Sequence, residues 1–183
     1  MIRSLFLFTL LSICLPGISG CSSYNGNKPD KRTPGALIDD QFIETVGKRE
    51  VRRADLRFGS AHFSIVSMNG VVLLVGQVES DDLIGIADTA LGSVSKVRTV
   101  HNELTVAGPI SLLARSNDAL LTSKVKAKLL ANDRINSNRV KVITEDSVVY
   151  LMGRITREKA DIVVEISRNT SGVKKVVKVF EYL

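Results

Sequence analysis

The feature that most constrains the fold is an internal duplication. Residues 63–76 read FSIVSMNGVVLLVG, residues 140–153 read VKVITEDSVVYLMG, and the two segments align without a gap. In each copy an alternating strand pattern is followed by a tight turn and by a second strand apolar enough to lie centrally in a sheet. Asn-Gly at 69–70 favours a two-residue turn with positive φ, and residues 145–147 are the weaker equivalent. The chain is therefore expected to fold as two copies of one unit.

Helical periodicity surrounds each hairpin. Apolar residues recur at helical spacing before each hairpin and again after it, with helix starts at residues 80–82 and at Thr156. The helices expected before the hairpins span residues 39–53 and 118–131, and the last strands span residues 99–106 and 176–182. Each copy is thus predicted to be α+β, in the order helix, strand, strand, helix, strand. The predicted domains are residues 36–107 and 112–183.

The N-terminus carries an export and lipidation signal. Residues 18–21, Ile-Ser-Gly-Cys, form a bacterial lipobox behind a positive Arg3 and an apolar run over residues 5–15. The run has the length of a signal-peptide core rather than the roughly 20 residues that span a bilayer. We interpret residues 1–20 as a lipoprotein signal peptide, although an ordinary secretory signal cut at the same place is the alternative. Lipoproteins of this class carry a diacylglyceryl group on the sulfur of Cys21 and a further acyl chain, such as palmitate, on its amine.

A tether is predicted between this anchor and the domains. Residues 22–34 are rich in Gly, Asn, Lys and Pro, and almost nothing in them is apolar. Such a segment is expected to be flexible, with a reach of about 20 Å, and we assign residues 21–35 to it. Ser22 stands where an Asp would favour retention in the inner membrane, so the periplasmic face of the outer membrane is the expected location.

The chain resembles the BON-domain family in the G-V-x-x-V-like ending that follows the second helix of each copy. The pattern is clearest over residues 171–176, SGVKKV. Two such units behind a lipobox and a tether resemble the dual-BON outer-membrane lipoproteins, and the resemblance covers residues 36–183. It implies an αββαβ fold in each domain, with a mixed three-stranded sheet and two helices, and no catalytic residues. It also implies binding of anionic phospholipid by the second domain and a role in outer-membrane integrity.

Charge distinguishes the two predicted domains. Residues 36–107 carry seven Lys or Arg against ten Asp or Glu, a net charge of −3, while residues 108–183 carry fourteen against eight, a net charge of +6. A basic excess is typical of contact with nucleic acid or with an acidic surface. No nucleic acid is expected, because an exported lipoprotein meets no chromosomal DNA and the chain lacks an aromatic stacking set. The expected partners are anionic phospholipids such as phosphatidylglycerol and cardiolipin, since each Lys or Arg near them contributes about 1 kcal/mol.

The helix predicted over residues 118–131 carries the candidate lipid-binding residues. Leu121, Val125 and Leu129 share one stripe, which is expected to face the core. The candidates lie on or beside the neighbouring face: Leu120, Lys124, Ala127 and Lys128. An apolar side chain, a small residue and cations together suit a lipid interface. The resemblance implies an aromatic on this helix, and Leu120 is the residue found in its place.

Two alternatives remain open at this point. The first is that Leu120 packs against the other domain, because apolar patches serve protein contacts as readily as membranes. The second is an adaptor function, in which the basic face docks an acidic protein partner of the envelope assembly machinery or the cell wall. Binding of the purified protein to vesicles of pure lipid separates the two functions, because an adaptor needs its partner.

Signals for catalysis and for cofactors are weak. No cysteine nucleophile remains after processing, no serine lies in a G-x-S-x-G turn, and His62 and His101 lie in predicted strands. The adjacent acids at 39–40 and 81–82 are interpreted as helix caps or as acids of a first helical turn, which the helix dipole favours, and no acids have the spacing of a calcium loop or a zinc site. We therefore expect no enzymatic activity, no cofactor and no metal.

Cys21→Ala is expected to release the protein from the membrane fraction, because lipid attachment and lipoprotein-type cleavage both require this thiol. Membrane fractionation and intact-mass measurement check the prediction. Ser22→Ala is the matched control, since it changes the neighbouring residue and leaves the thiol in place. An unlipidated mass for the wild-type protein would contradict the prediction.

Overall fold

The structure, a computed structural model, describes residues 33–183. The predicted signal peptide, Cys21 and the tether as far as residue 32 lie outside the described residues. The helices and strands are α1 (Pro34–Ala54), β1 (His62–Met68), β2 (Val71–Val78), α2 (Asp82–Gly92), β3 (Thr99–Val106), α3 (Leu112–Leu130), β4 (Val140–Glu145), β5 (Val148–Ile155), α4 (Arg157–Arg168) and β6 (Lys175–Tyr182). The predicted α+β class, with one order of elements repeated twice, is confirmed.

Helix α1 begins earlier than the sequence analysis predicts. The predicted start is residue 39 and the predicted tether runs to residue 35, whereas the helix begins at Pro34. The N–H of Ala36 donates to Thr33 Oγ1 at 3.1 Å and caps the helix, and proline suits the first turn because it leaves no N–H unpaired there. The last two residues assigned to the tether therefore belong to the first helix.

Helix α3 also begins early, at Leu112 rather than at residue 118. Ser111 is its N-cap, and the Ser111 Oγ accepts a hydrogen bond from the N–H of Ala114 at 3.2 Å. The helix is 19 residues long, and its first turns were missing from the predicted one. Those turns lengthen the exposed surface of α3.

The adjacent acids interpreted as helix caps have different roles. Asp39 forms a surface ion pair, and Asp40 accepts hydrogen bonds from the turn between β1 and β2. The capping interpretation of this pair is wrong because the helix starts more than one turn upstream. Asp81 is the N-cap of α2 without a side-chain capping hydrogen bond. Asp82 lies in the first turn of α2, as expected, and pairs with Arg57 at 2.6 Å.

Both predicted hairpins are confirmed. The turn residues Asn69 and Gly70 have φ of 54° and 78°, and Asp146 and Ser147 have φ of 46° and 63°. The last paired residues are Met68 with Val71 in the first hairpin and Glu145 with Val148 in the second, so each turn has two central residues. Positive φ at both central positions matches the twist of the adjoining strands, which is why Asn, Gly and Asp are favoured there.

Each copy forms a mixed three-stranded sheet with the strongly apolar strand in its centre. β2 pairs antiparallel with β1 and parallel with β3, and β5 pairs in the same way with β4 and β6. One face of each sheet packs against the helices of its own copy. Members of these two cores are Ile43, Leu74, Leu83 and Leu91 in the first domain and Val125, Leu151 and Val163 in the second.

The other faces of the two sheets pack against each other. Leu73 and Val75 from β2 share one buried cluster with Tyr150 and Met152 from β5 and with Val179 from β6. Side chains alternate between the two faces of a strand, so β2 and β5 contribute to their own core and to the interface. Burial on both faces explains their nearly continuous apolar sequences. The molecule is layered as helices, sheet, sheet, helices.

Polar contacts accompany this apolar interface. Lys141 donates from Nζ to the Ser67 carbonyl at 2.7 Å and to Glu44 Oε1 at 3.1 Å. Gln77 donates from Nε2 to Glu145 Oε1 at 2.9 Å. Burial raises the pKa of the Glu145 carboxyl above its usual range, and the hydrogen bond from Gln77 opposes that shift. Hydrogen bonds are directional, whereas apolar packing is not. These contacts therefore help to fix how the two sheets are placed on each other.

Met152→Ala is expected to lower the free energy of unfolding by about 2–5 kcal/mol, because it removes buried atoms and leaves a cavity between the sheets. Urea unfolding followed by circular dichroism measures the change. Leu113→Ala truncates an exposed side chain and is the control, with an expected change within about 0.5 kcal/mol. Equal losses in the two variants would contradict the packing of sheet on sheet.

Candidate membrane-binding site

Helix α3 presents the candidate lipid-binding residues on the outside of the molecule. Its core stripe of Leu121, Val125 and Leu129 is buried, as predicted. The four predicted lipid-binding residues are all exposed: Leu120, Lys124, Ala127 and Lys128. The helical periodicity therefore assigned the buried and exposed sides of this helix correctly.

Leu120 does not pack against the first domain. Its side chain is 60% exposed, and α3 covers the face of its sheet that points away from the first domain. The alternative that Leu120 fills a domain interface is wrong, because the sheet faces rather than the helices form that interface. An apolar side chain is thus left open to a surface or partner outside the molecule.

Leu113 extends the apolar part of this surface. It precedes Leu120 by seven residues, about two helical turns, so both side chains project from the same side of α3. Leu113 is 81% exposed. Leu113 lies before the predicted start of the helix at residue 118, because a serine such as Ser111 is as common in loops as at helix caps. We define the α3 face as Leu113, Leu120, Lys124 and Ala127.

The exposed charge of α3 has one sign. Asp118 is its only acidic residue and is 5% exposed, so it adds little negative charge to the surface. The exposed cations of the helix are Arg115, Lys124, Lys126 and Lys128. The Nζ of Lys128 donates to the carbonyl of Asn169 at 3.0 Å, at the C-terminal end of α4, where a cation is favourable. Lys124 makes no side-chain hydrogen bond or ion pair with residues 33–183, so it is the freer of the two lysines.

Asp118 joins α3 to the turn between β4 and β5. Its Oδ2 accepts a hydrogen bond from the N–H of Asp146 at 2.9 Å, and its Oδ1 accepts one from the N–H of Ser147 at 2.8 Å. Asp40 makes the equivalent contacts in the first domain. The carboxylate helps to hold the rotation of α3 on its sheet, and thereby the direction in which the α3 face points. The sequence signal was present, since an Asp precedes each hairpin at nearly the same distance.

Gly172 allows the turn after α4 to lie against α3. Its φ is 100°, and a Cβ at this position would lie 2.7 Å from Leu121 Cδ2. Helix α4 ends shortly before this glycine, at Arg168. The glycine therefore has a packing role as well as a conformational one.

Both histidines lie in strands, as predicted. His62 in β1 is partly buried, with its Nε2 3.7 Å from Glu145 Oε1, and His101 lies in β3. Across residues 33–183, no three His, Cys, Asp or Glu side chains are grouped so that they could hold a metal ion. The same part of the chain contains no helix with the length and apolarity needed to cross a membrane.

The architecture defines a class of protein: a tandem of two αββαβ domains that bury their sheets against each other and present their helices outward. The family model of the BON domain matches residues 39–108 and 117–183. The chain therefore belongs to the BON-domain family, as the sequence analysis predicted.

Three relatives show the same family relationship over most of their length. The outer membrane lipoprotein DolP of Haemophilus influenzae (strain Rd) is 40% identical over 154 residues, which cover 84% of this chain and 80% of that protein. The 21 kDa hemolysin of Actinobacillus pleuropneumoniae is 34% identical over 84% of this chain and 79% of its own. The osmotically-inducible protein Y of Escherichia coli (strain K12) is 34% identical over 78% of this chain and 72% of its own.

These likenesses confirm the predicted class of protein and its location. The chain is an outer-membrane lipoprotein with two BON domains. The lipidation of Cys21 and the periplasmic orientation stay predictions, because Cys21 lies outside the residues that the structure describes.

Asp118→Ala is expected to lower the free energy of unfolding by about 1–3 kcal/mol, because it leaves two turn N–H groups without their acceptor. Urea unfolding measures the change. Asp161→Ala, which removes an exposed carboxylate from α4 of the same domain, is the control and is expected to cost less than about 0.5 kcal/mol. If both variants were equally stable, Asp118 would not be holding the turn.

Proposed function

We propose that the protein is a non-enzymatic lipoprotein that binds anionic phospholipid through the α3 face of its second domain and so supports outer-membrane integrity. The observation that carries the proposal is the pair of exposed leucines, Leu113 and Leu120, beside cations on a helix without exposed acids. Phosphatidylglycerol and cardiolipin are the expected ligands. This function requires no cofactor.

The apolar side chains supply the contact with the membrane interior. Full burial of a leucine side chain contributes about 1.5–3 kcal/mol, and most of the surface of Leu113 and Leu120 is still exposed in the protein. Ala127, on the same side of the helix, is small and lets the helix backbone approach the lipid headgroups. The α3 face can therefore enter the interface without first breaking contacts inside the protein.

The lysines supply the preference for anionic lipid. Lys124 and Lys128 have long aliphatic stems, so their ammonium groups reach phosphates at the headgroup level while the leucines lie deeper. Each cation near such a surface contributes about 1 kcal/mol, and salt weakens this attraction. Helix α3 repels anionic headgroups little, because its single carboxylate, Asp118, is buried and accepts hydrogen bonds from the β4–β5 turn.

The corresponding surface of the first domain is less suited to anionic lipid. Phe42 of α1 occupies the position equivalent to Leu120 when Asp40 is aligned with Asp118, and it is 44% exposed. The exposed surface of α1 nearby also carries Asp39, which is paired with a lysine. This difference, with the opposite net charges of the domains, favours the second domain as the lipid-binding one.

With a lipid anchor, even weak binding of the α3 face to lipid would keep the domains at the membrane. If Cys21 is lipidated, the tether predicted from the sequence connects the membrane to the domains. Binding of the α3 face is then intramolecular, at an effective concentration set by this tether. A face with modest affinity for lipid can thus hold the protein against the membrane for much of the time.

Vesicle binding tests the proposal, with a soluble chain that begins at Ser22. This protein is expected to bind vesicles containing phosphatidylglycerol or cardiolipin, to bind neutral phosphatidylcholine vesicles poorly, and to weaken as salt rises. Lys124→Glu with Lys128→Glu is expected to reduce affinity at least about tenfold, since two attractive charges become repulsive. The matched control is Lys175→Glu with Lys178→Glu, which makes the same change in net charge on β6.

Further variants separate the apolar contribution from the charge. Leu120→Ala is expected to weaken vesicle binding less than the double lysine variant does, and to leave the salt dependence of binding intact. Phe42→Ala is expected to change neither the affinity for vesicles nor its salt dependence. Lys124→Glu alone spares the contact between Lys128 and α4, and circular dichroism checks that each variant is folded. Equal affinity for neutral and anionic vesicles, or equal effects of the two double variants, would overturn the proposal. A protein adaptor would then be the better explanation.

A further inference from the structure

A basic groove runs along the first domain, between the second half of α1 and strand β1. Its volume is about 690 Å³, and it is lined by side chains of α1 and by the middle of β1, including Ile65. The cations along it are Lys48, Arg49, Arg52 and Arg53. The groove therefore carries a charge opposite to that of its domain, whose net charge is −3.

The carboxylates near the groove are already paired. Glu44 accepts hydrogen bonds from the Ser67 N–H at 2.9 Å and from Lys141 Nζ at 3.1 Å. Glu50 lies on α1 between the arginines and pairs with Arg49 at 3.0 Å and Arg53 at 3.4 Å. Lys48 and Arg52 remain unpaired with any carboxylate of residues 33–183, although Arg52 lies over a phenylalanine ring. The groove thus has cationic capacity that the domain itself does not use.

Strand β1 forms one wall of the groove with a free backbone edge. Among residues 33–183 it pairs only with β2, so no strand of this part of the chain lies on its opposite side. The N–H and the carbonyl of Ser67 both point to that free side, because they bond Glu44 and Lys141. In an antiparallel pair this direction alternates along the strand, so the N–H and carbonyl of Ile65 also point to the free side. The backbone of Ile65 therefore faces the groove.

One end of this edge, at Ser67, is already hydrogen-bonded. Glu44 and Lys141 occupy the backbone groups of Ser67 and prevent another strand from pairing there. The groove beside Ile65 lies further along β1, where the cations of α1 flank the edge. Such a geometry suits an extended segment that ends at Ser67.

The equivalent groove of the second domain has diverged. It is divided into a cavity of about 210 Å³, lined partly by the short 3₁₀ turn before β4, and a cavity of about 320 Å³ whose lining includes Thr122 and Val142. When Asp40 is aligned with Asp118, the positions of the four cations are occupied by Lys126, Ala127, Leu130 and Ala131. The same fold therefore builds one wide groove with four cations in the first domain, and two smaller cavities with a single lysine at those four positions in the second.

We propose that the groove of the first domain binds an extended acidic segment of a partner protein, which adds to β1 as a fourth strand. The segment's backbone pairs with Ile65, and its carboxylates contact Lys48, Arg49, Arg52 and Arg53. Strand addition provides affinity through main-chain hydrogen bonds, while the flanking side chains select for charge. A lipid headgroup lacks the alternating N–H and carbonyl groups that a strand edge requires. The proposal is independent of lipid binding by the α3 face, which lies in the other domain.

A synthetic peptide of alternating Glu and Val tests the groove, with the soluble chain that begins at Ser22. Fluorescence anisotropy of the labelled peptide is expected to show saturable binding that weakens as salt rises. Two control peptides separate the contributions: one replaces every Glu with Lys, and the other carries N-methyl groups on alternate backbone amides. Both are expected to bind at least about tenfold more weakly, because the first reverses the charge and the second blocks strand pairing.

Matched protein variants locate the site. Lys48→Glu with Arg52→Glu is expected to weaken peptide binding about tenfold or more, while Lys175→Glu with Lys178→Glu, with the same change in net charge, is expected to leave it within about twofold. Lys48→Glu with Arg49→Glu gives a second variant that keeps the contact between Arg52 and Phe63. Amide hydrogen exchange is expected to slow at Ile65 when the peptide is bound.

Several results would overturn the proposal. Equal binding of the N-methylated peptide would show that the strand edge is not used, and equal effects of the groove and control variants would show that only net charge matters. No binding of the acidic peptide, with the protein folded, would remove the groove as a peptide site. Loss of anionic-vesicle binding in the groove variants, with peptide binding unchanged, would assign the groove to the membrane instead.

Discussion

The packing of one sheet on the other is the interaction on which the rest of this structure depends. Each domain has a three-stranded sheet that can cover only one face with its own two helices. The remaining apolar faces bury each other, through residues such as Leu73 and Met152. This arrangement places all four helices on the outside, so the α3 face and the α1–β1 groove are accessible. No strand within residues 33–183 pairs with the Ile65 edge of β1.

Duplication has preserved the frame of the two domains and changed their surfaces. Asp40 and Asp118 make the same contacts with their hairpin turns, because each turn presents N–H groups that need a buried acceptor. The surfaces are under no such constraint. The first domain has an acidic balance with one cationic groove, while the second has a basic balance with exposed leucines beside its lysines. We infer that the two domains serve different partners, lipid on one side and protein on the other.

Part of the candidate site could be predicted from sequence because it depends on local periodicity. The separation of Leu120 and Lys124 from the buried Leu121 and Val125 follows from 3.6 residues per turn. Leu113 escaped prediction because helix starts depend on caps, and Ser111 has the same local sequence signal as many serines in loops. The groove escaped because its parts, α1 and β1, come together only when the helix packs on its sheet.

The sequence by itself determined the duplicated αββαβ unit, the central strands, the turns and the charge difference between the domains, because each of these depends on residues close together in the chain. Only the tertiary structure decided which sheet faces meet, that Leu120 stays exposed, and that Asp118 bonds a turn 28 residues away. These outcomes depend on competition among several apolar faces for burial. An alternating strand pattern shows that a face is apolar, but it does not show which other face will cover it.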